Sequence, residues 1–268
     1  MGKHARKTMK VLCVDIGNTS GHVAVVDGRT ASHKAHIPTP QLDALAEGLP
    51  AYLHAHLSEC TGIALCSVVP AATERVKALL QSVGITQPIF WLTHTTAPGL
   101  GFAYPKPQEV GPDRLADAIA AQALRGAPAI VIDMGTATTF TVITAEGYAG
   151  GIIGPGLAVT AQYLHEKTAL LPKIDPHNAK ATAAWGESTV EAMEIGCSRG
   201  YRGMIRELLA GVKSELALRY PGIGVPIYAT GSNAPVVLQG LGEPVHLEPD
   251  LTLLGLAEAF RRTHNETA

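Results

Sequence analysis

Two stretches of the chain repeat one pattern of apolar and polar positions. Residues 11–28 read VLCVDIGNTSGHVAVVDG, and residues 130–147 read IVIDMGTATTFTVITAEG. Each is a β-branched apolar run ending in Asp, then a Gly/Thr-rich turn, a second β-rich run and a closing Gly. Runs of this length flanked by turn residues predict strand, tight turn, strand. The leading aspartates, Asp15 and Asp133, stand about one domain's length apart, so the repeat predicts two similarly built halves.

Helical spacing follows each hairpin. In the first half, residues 41–57 and 71–83 carry apolar positions at helical intervals, with a strand-like run at 62–69 between them. Residues 112–124 predict a helix that opens on Pro and places Asp in its first turn. In the second half, helices are predicted near 157–164, 188–218, 234–241 and 251–262, and a short buried strand at 225–229. Strands mixed with crossover helices make the fold α/β. The predicted organisation is a flexible lead-in at 1–9, an N-terminal domain at 10–125 and a C-terminal domain at 126–268.

Composition narrows the function classes. The 268 residues carry 21 basic and 23 acidic side chains, a formal charge of −2, so no global field favours nucleic acid or a membrane surface. Nearly half the residues are hydrophobic and few are charged, which suits a globular chain rather than a collagen-like or disordered one. The four cysteines (Cys13, Cys60, Cys66 and Cys197) form no C-x-x-C pair, so neither a zinc site nor a redox dithiol is indicated. Buried, reduced thiols are expected, as in a reducing cytosol. The basic residues 1–10 precede an apolar run that breaks at Asp15, too short for a signal-peptide core or a membrane span. Met9 is an alternative start, and Arg6 stands where a myristoylation signal wants Ser or Thr.

The repeated turns carry the candidate chemistry. A turn rich in Gly and Thr brings backbone N–H groups and hydroxyls close to phosphate oxygens. An Asp at a strand's end can hold a cation, directly or through its water shell. Two such turns acting on one polyphosphate would provide the clamp that in-line phosphoryl transfer requires. A single Asp-x-Gly turn is also simply a good turn sequence; its repetition behind two buried strands favours the functional reading.

With these turns placed, further motifs follow in order: DIGNT at 15–19, Tyr104 shortly before GPDR at 111–114, DMGTATT at 133–139, GGIIGPG at 150–156, KTALLP at 167–172, G-x-x-T at 186–189 and PDLTLLGL at 249–256. The ordered set resembles the type III pantothenate kinase family from about residue 10 to residue 260. The resemblance implies two similar ribonuclease H-like (actin-like ATPase) domains, each a mixed sheet with flanking helices. It implies an enzyme that phosphorylates pantothenate with ATP to 4′-phosphopantothenate, the first step of coenzyme A biosynthesis. Asp15, Ile16, Gly17, Asn18, Thr19, Ser20, Gly21 and His22 would wrap the ATP phosphates, and Thr136 would contact ATP. Asp113 would be the general base, with Tyr104, Gly111, Pro112, Asp113, Arg114 and Thr189 binding pantothenate. Asp133 would hold a monovalent cation, K+ or NH4+, and Mg2+ would accompany the phosphates. A cytoplasmic homodimer is also implied, to which the apolar residues of 188–218 could supply an interface, with no nucleic-acid or membrane partner.

Plainer readings stand beside these. Asp113 fits the first turn of a helix for its dipole alone, Tyr104 fits a core aromatic, Thr189 fits a helix cap and GGIIGPG fits a permissive loop. The sequence departs from the family at two places. His22 stands where the family usually has Lys or another long basic residue, and ATGSNA at 229–234 stands where it usually has T-G-G and an acidic residue. Alternative functions are a non-catalytic regulatory relative of the same fold, or a kinase for another small hydroxylated or carboxylate substrate.

Overall fold

Five strands form a first sheet because their apolar residues alternate with, or fully replace, polar ones. In the computed structural model, which describes residues 9–177 and 184–265, strand β1 (Val11–Ile16) is buried along its length except at Asp15. Strands β2 (Ser20–Asp27) and β3 (Thr30–Pro38) continue it as an antiparallel meander. Helix α1 (Leu49–His56), strand β4 (Gly62–Ser67), helix α2 (Pro70–Ser82), strand β5 (Ile89–Trp91) and helix α3 (Pro112–Arg125) follow. The strand order is β3-β2-β1-β4-β5, with β4 and β5 parallel to β1. In β3 the register slips: Ala35 faces Val23 and Ser32 faces Val25, so His33 and Lys34 together oppose Ala24. This is a β-bulge.

The second sheet repeats the plan. Strands β6 (Ala129–Met134), β7 (Ala137–Thr144) and β8 (Gly147–Pro155) form a meander. Helices α4 (Leu157–Lys167) and α5 (Thr189–Arg219), strand β9 (Ile227–Thr230), helix α6 (Ala234–Leu238) and the short strand β10 (His246–Leu247) complete it. The order β10-β9-β6-β7-β8 is the first sheet's order read from the other side, again with the later strands parallel to the leading one. Two mixed five-stranded sheets with flanking helices are the expected α/β, ribonuclease H-like pair.

Each unit has its own core. In the first, Leu12, Val14, Ile63 and Leu65 from the sheet meet Leu49 of α1 and Val76 of α2. In the second, Ile130, Ile132 and Phe140 meet Tyr201, Ile205 and Leu209 of α5. Each fully buried side chain of this kind contributes about 1.5–3 kcal/mol.

Three sequence expectations are corrected. The helix expected over 41–57 is cut to α1, preceded by a 3-10 turn at Thr39–Gln41. Pro50 is the reason: inside a longer helix it would remove a backbone hydrogen bond and strike the carbonyl one turn back, whereas the first turn tolerates it. GGIIGPG is not a loop but the larger part of β8, whose backbone pairs residue by residue with β7. The third concerns the domain division. Among the described residues, compact units comprise 9–124 with 250–265, and 125–177 with 184–249. The last helix, α7 (Leu251–Asn265), therefore packs in the first unit, against β1, β2 and β4, rather than in a C-terminal domain running to residue 268. Phe260 is fully buried there, and Gly255 lies so close to Ala116 of α3 that a β-carbon would meet its backbone. The lead-in expected at 1–9 lies, apart from Met9, outside the described residues.

Candidate active site

In the first unit, the parallel pairing of β1 and β4 sets Asp15 beside Cys66. The Cys66 thiol donates to Asp15 Oδ1 at 3.2 Å. The chain then turns: the Gly17 N–H donates to the Ser20 carbonyl at 3.1 Å, leaving Asn18 and Thr19 exposed at the tip. Buried Thr39 braces this turn from behind, its hydroxyl donating to the Gly17 carbonyl at 2.6 Å and its N–H to the Thr19 carbonyl at 3.1 Å. Ile16 is core and Gly21 is buried, so from this stretch the polar groups nearest solvent are those of Asn18 and Thr19.

His22 lies one strand over, opposite both Asp15 and His36. Its ring centroid is 4.3 Å from that of His36. Burial, and then the neighbouring His36, push its pKa below the ordinary histidine value, so the neutral imidazole is favoured where the family usually carries a cation.

Helix α3 delivers Asp113 in its first turn. Its Oδ1 accepts the Arg114 N–H at 2.8 Å. A β-carbon on Gly111 would collide with this same oxygen, so glycine there is what lets the carboxylate fold back over the loop. Burial raises the Asp113 pKa, opposed by the backbone N–H and the guanidinium of Arg114. Asp15, Asp113 and Asp117 all help burial to hold the Cys66 thiol protonated, which makes them electrostatic neighbours of one sulfur. Asp117, one turn beyond Asp113 and buried, accepts the Thr252 hydroxyl at 2.8 Å. Tyr104, Pro112 and Arg114 are half-buried.

The second unit carries a matching turn. Asp133 is the penultimate residue of β6, the Gly135 N–H donates to the Ala137 carbonyl at 3.1 Å, and Thr136 is exposed at the tip. Here the brace is Asn233, which is buried. Its side-chain amide donates to the Gly135 carbonyl at 3.0 Å, and its backbone N–H to the Met134 carbonyl at 3.0 Å. With the amide so oriented, its oxygen accepts His177 Nε2–H at 2.6 Å, while His177 Nδ1 faces Asp175 Oδ1 at 2.9 Å. That contact holds the Asp175 carboxyl below its ordinary value. Gly231, at φ +88°, leaves clear the space against Asp133 Oδ1 and the Met134 backbone that a β-carbon would fill.

Thr138 donates to the Pro155 carbonyl at 2.8 Å, so the Tyr201 hydroxyl, 2.6 Å away, donates to Thr138. Ser188 rather than Thr189 caps α5: its hydroxyl accepts the Glu191 N–H at 3.3 Å, and Glu191 reaches back to the Glu187 N–H at 2.8 Å. Thr189 is exposed, and the cap reading belongs to its neighbour.

Thr39, Cys66, Asp117, His177 and Tyr201 escape a reading of the sequence, because each acts on a partner far along the chain. Asn233 gave the one available signal, as a departure from the family pattern.

The family model described as type III pantothenate kinase matches residues 11–211. The chain belongs to that family. A protein of Akkermansia muciniphila named type III pantothenate kinase is 42% identical over 193 residues, covering 72% of this chain and 75% of its own. A Dehalococcoides mccartyi protein of the same name is 35% identical over 264 residues, covering 96% of this chain and 97% of its own. Among solved structures, a Campylobacter jejuni protein described as a Baf family transcriptional activator superposes with a TM-score of 0.62 at 17% identity. That match covers 95% of this chain and 99% of the other, and it speaks for the fold alone.

Proposed function

We infer that this family member is an ATP-dependent pantothenate kinase, giving 4′-phosphopantothenate and ADP in the first step of coenzyme A biosynthesis. The observation that carries this reading is Asp113: a partly buried carboxylate with a raised pKa, folded over Gly111 beside the Asp15 turn. A carboxylate so tuned is a stronger base than an exposed one.

In the reaction, Asp113 takes the proton of the pantothenate hydroxyl. The hydroxyl oxygen bonds to the γ-phosphorus, and the bond from that phosphorus to the β–γ bridging oxygen breaks, releasing ADP. Asp15 through His22 are assigned to the phosphates, with the donors of Asn18 and Thr19 at the exposed tip. Thr136 has the same placement in the second unit. Arg114 is assigned to the pantothenate carboxylate, which its planar guanidinium can bind through two parallel hydrogen bonds. Tyr104, Gly111, Pro112 and Thr189 are assigned to the remainder of that substrate.

Asp133 fits a monovalent cation. It is a hard oxygen donor, and Gly231 keeps the space at its Oδ1 clear. Asp15 fits Mg2+ through the metal's water shell, and the ion would supply neutralisation of phosphate charge. Exposed apolar side chains on β8 and α4, Ile153 and Tyr163 among them, support a homodimer. Four free, buried cysteines support the cytoplasm. Among the described residues, no helix is long and apolar enough to cross a membrane.

The test is ATP consumption by the purified protein with pantothenate, in potassium or ammonium buffers against sodium alone. Turnover that requires pantothenate and a permissive cation supports the substrate and the role of Asp133 together. A folded sample that consumes no ATP under any cation overturns the assignment.

A further inference from the structure

Among the described residues, His33 is the one non-glycine residue of positive φ, at +51°. A histidine in this region of backbone space is uncommon and carries a conformational cost, which points to a constraint worth explaining. It sits in the bulge of β3, a device that re-aims a side chain out of the regular alternation of a strand. The bulge is pinned by the Tyr52 hydroxyl, which donates to the His33 carbonyl at 2.6 Å.

The side chain so aimed meets two others that can bind metal. The His33 and His56 rings stack with centroids 4.4 Å apart, and His33 Nε2 lies 3.8 Å from Glu59 Oε1. One ligand atom from each of His33, His56 and Glu59 lies within 4.8 Å of the others. Ligand atoms around a four-coordinate zinc stand roughly 3.3 Å apart, so small side-chain rotations close the set. Its supports are already in place. Lys10 holds the other carboxylate oxygen of Glu59 at 2.8 Å, leaving Oε1 on the histidine side. Tyr52 packs against His56, ring centroids 4.7 Å apart. Hydrogen-bonded carboxylates and fixed imidazoles of this kind are what orient metal ligands.

We propose that His33, His56 and Glu59 form a site for one divalent transition-metal ion of the zinc class, on the first unit and separate from the residues assigned to phosphoryl transfer. Two imidazoles and one carboxylate suit zinc, or cobalt in its place, and leave a coordination position for water. A bound ion would tie the bulge of β3 to the end of α1 and the turn after it, and so hold the edge of the first sheet.

The test is equilibrium dialysis of the full chain against Zn2+, with Co2+ absorption in the visible as a probe of coordination. We expect one saturable equivalent, a cobalt spectrum of four-coordinate intensity, and a higher midpoint of thermal unfolding with Zn2+. His33→Ala and His56→Ala should each weaken binding at least tenfold and abolish the thermal shift, while His94→Ala and His246→Ala bind as wild type does. Glu59→Gln keeps a side chain of the same shape and should also weaken binding, which covers the case where a histidine variant fails to fold. No saturable equivalent in the wild type, or unchanged binding in folded His33, His56 and Glu59 variants, overturns the site.

Discussion

The side-chain amide of Asn233 donates to the carbonyl of Gly135 at 3.0 Å, across 98 positions of sequence. In the first unit the hydroxyl of Thr39 does the same for Gly17 at 2.6 Å. Each Asp-x-Gly turn is thus braced at its glycine carbonyl by a buried side chain. In Asn233→Ala, the Gly135 carbonyl and His177 Nε2 lose their partner. His177 is exposed and can turn to water, but leaving the half-buried Gly135 carbonyl unpaired costs up to about 1–3 kcal/mol. The expected result is a lower midpoint of thermal unfolding and a raised KM for ATP, with the KM for pantothenate nearly unchanged.

Asp113→Asn should reduce kcat by about a hundred- to ten-thousand-fold, the range of a lost general base. The raised pKa of Asp113 means that the folded state holds its proton more tightly than the unfolded chain does. Its contribution to stability is therefore full at low pH and is lost as pH rises through the raised value. At neutral pH the asparagine variant should match or exceed the wild type in thermal stability, as thermal denaturation will show.

If Asp113 is the base, the same shift sets the acid limb of activity. As pH falls, kcat/KM should drop as Asp113 protonates, with an inflection above the ordinary aspartate value of about 3.9. A pH profile of kcat/KM for pantothenate checks this. An inflection at or below the ordinary value counts against Asp113 as the base.

His22 has the opposite sign. Its depressed pKa means that the folded state resists its protonation, so stability falls as pH drops from about 6.5 through the lower folded value. His22→Gln should lose part of this acid sensitivity. It should also leave the KM for ATP at pH 7.5 within about twofold, because a neutral imidazole gives way to a neutral amide. Chemical denaturation at two pH values and steady-state kinetics test the two halves.

Gly231→Ala forces a β-carbon toward Asp133 Oδ1 at a φ of +88°. The strain costs on the order of 1–3 kcal/mol. If Asp133 binds the activating cation, activation by potassium should weaken more than the KM for pantothenate rises. A potassium titration at saturating substrate separates the two.

How much of this was legible in the sequence depends on the range of each interaction. The hairpins around Asp15 and Asp133 were legible because a β-branched run ending in Asp-x-Gly is a local signal. Helix α3 was legible because Pro112 and Asp113 mark its start. Strand β8 was not, since its glycines hide an edge strand whose backbone pairs with β7. Thr39 has ordinary local surroundings and Asn233 stands out only as a departure from the family pattern; folding alone brings them to glycines 22 and 98 positions away. The packing of α7 was hidden for the same reason: its apolar face is plain in the sequence, but not which sheet it covers.

That placement of α7 has a consequence for synthesis on the ribosome. The first unit begins with β1 yet needs the last helix, whose Phe260 is fully buried within it. Everything from residue 125 to residue 249 is translated in between, which takes on the order of ten seconds at ordinary elongation rates. During that interval the first sheet waits with an apolar face uncovered, and a nascent-chain chaperone has its longest opportunity there. The half of the protein made first is the half finished last.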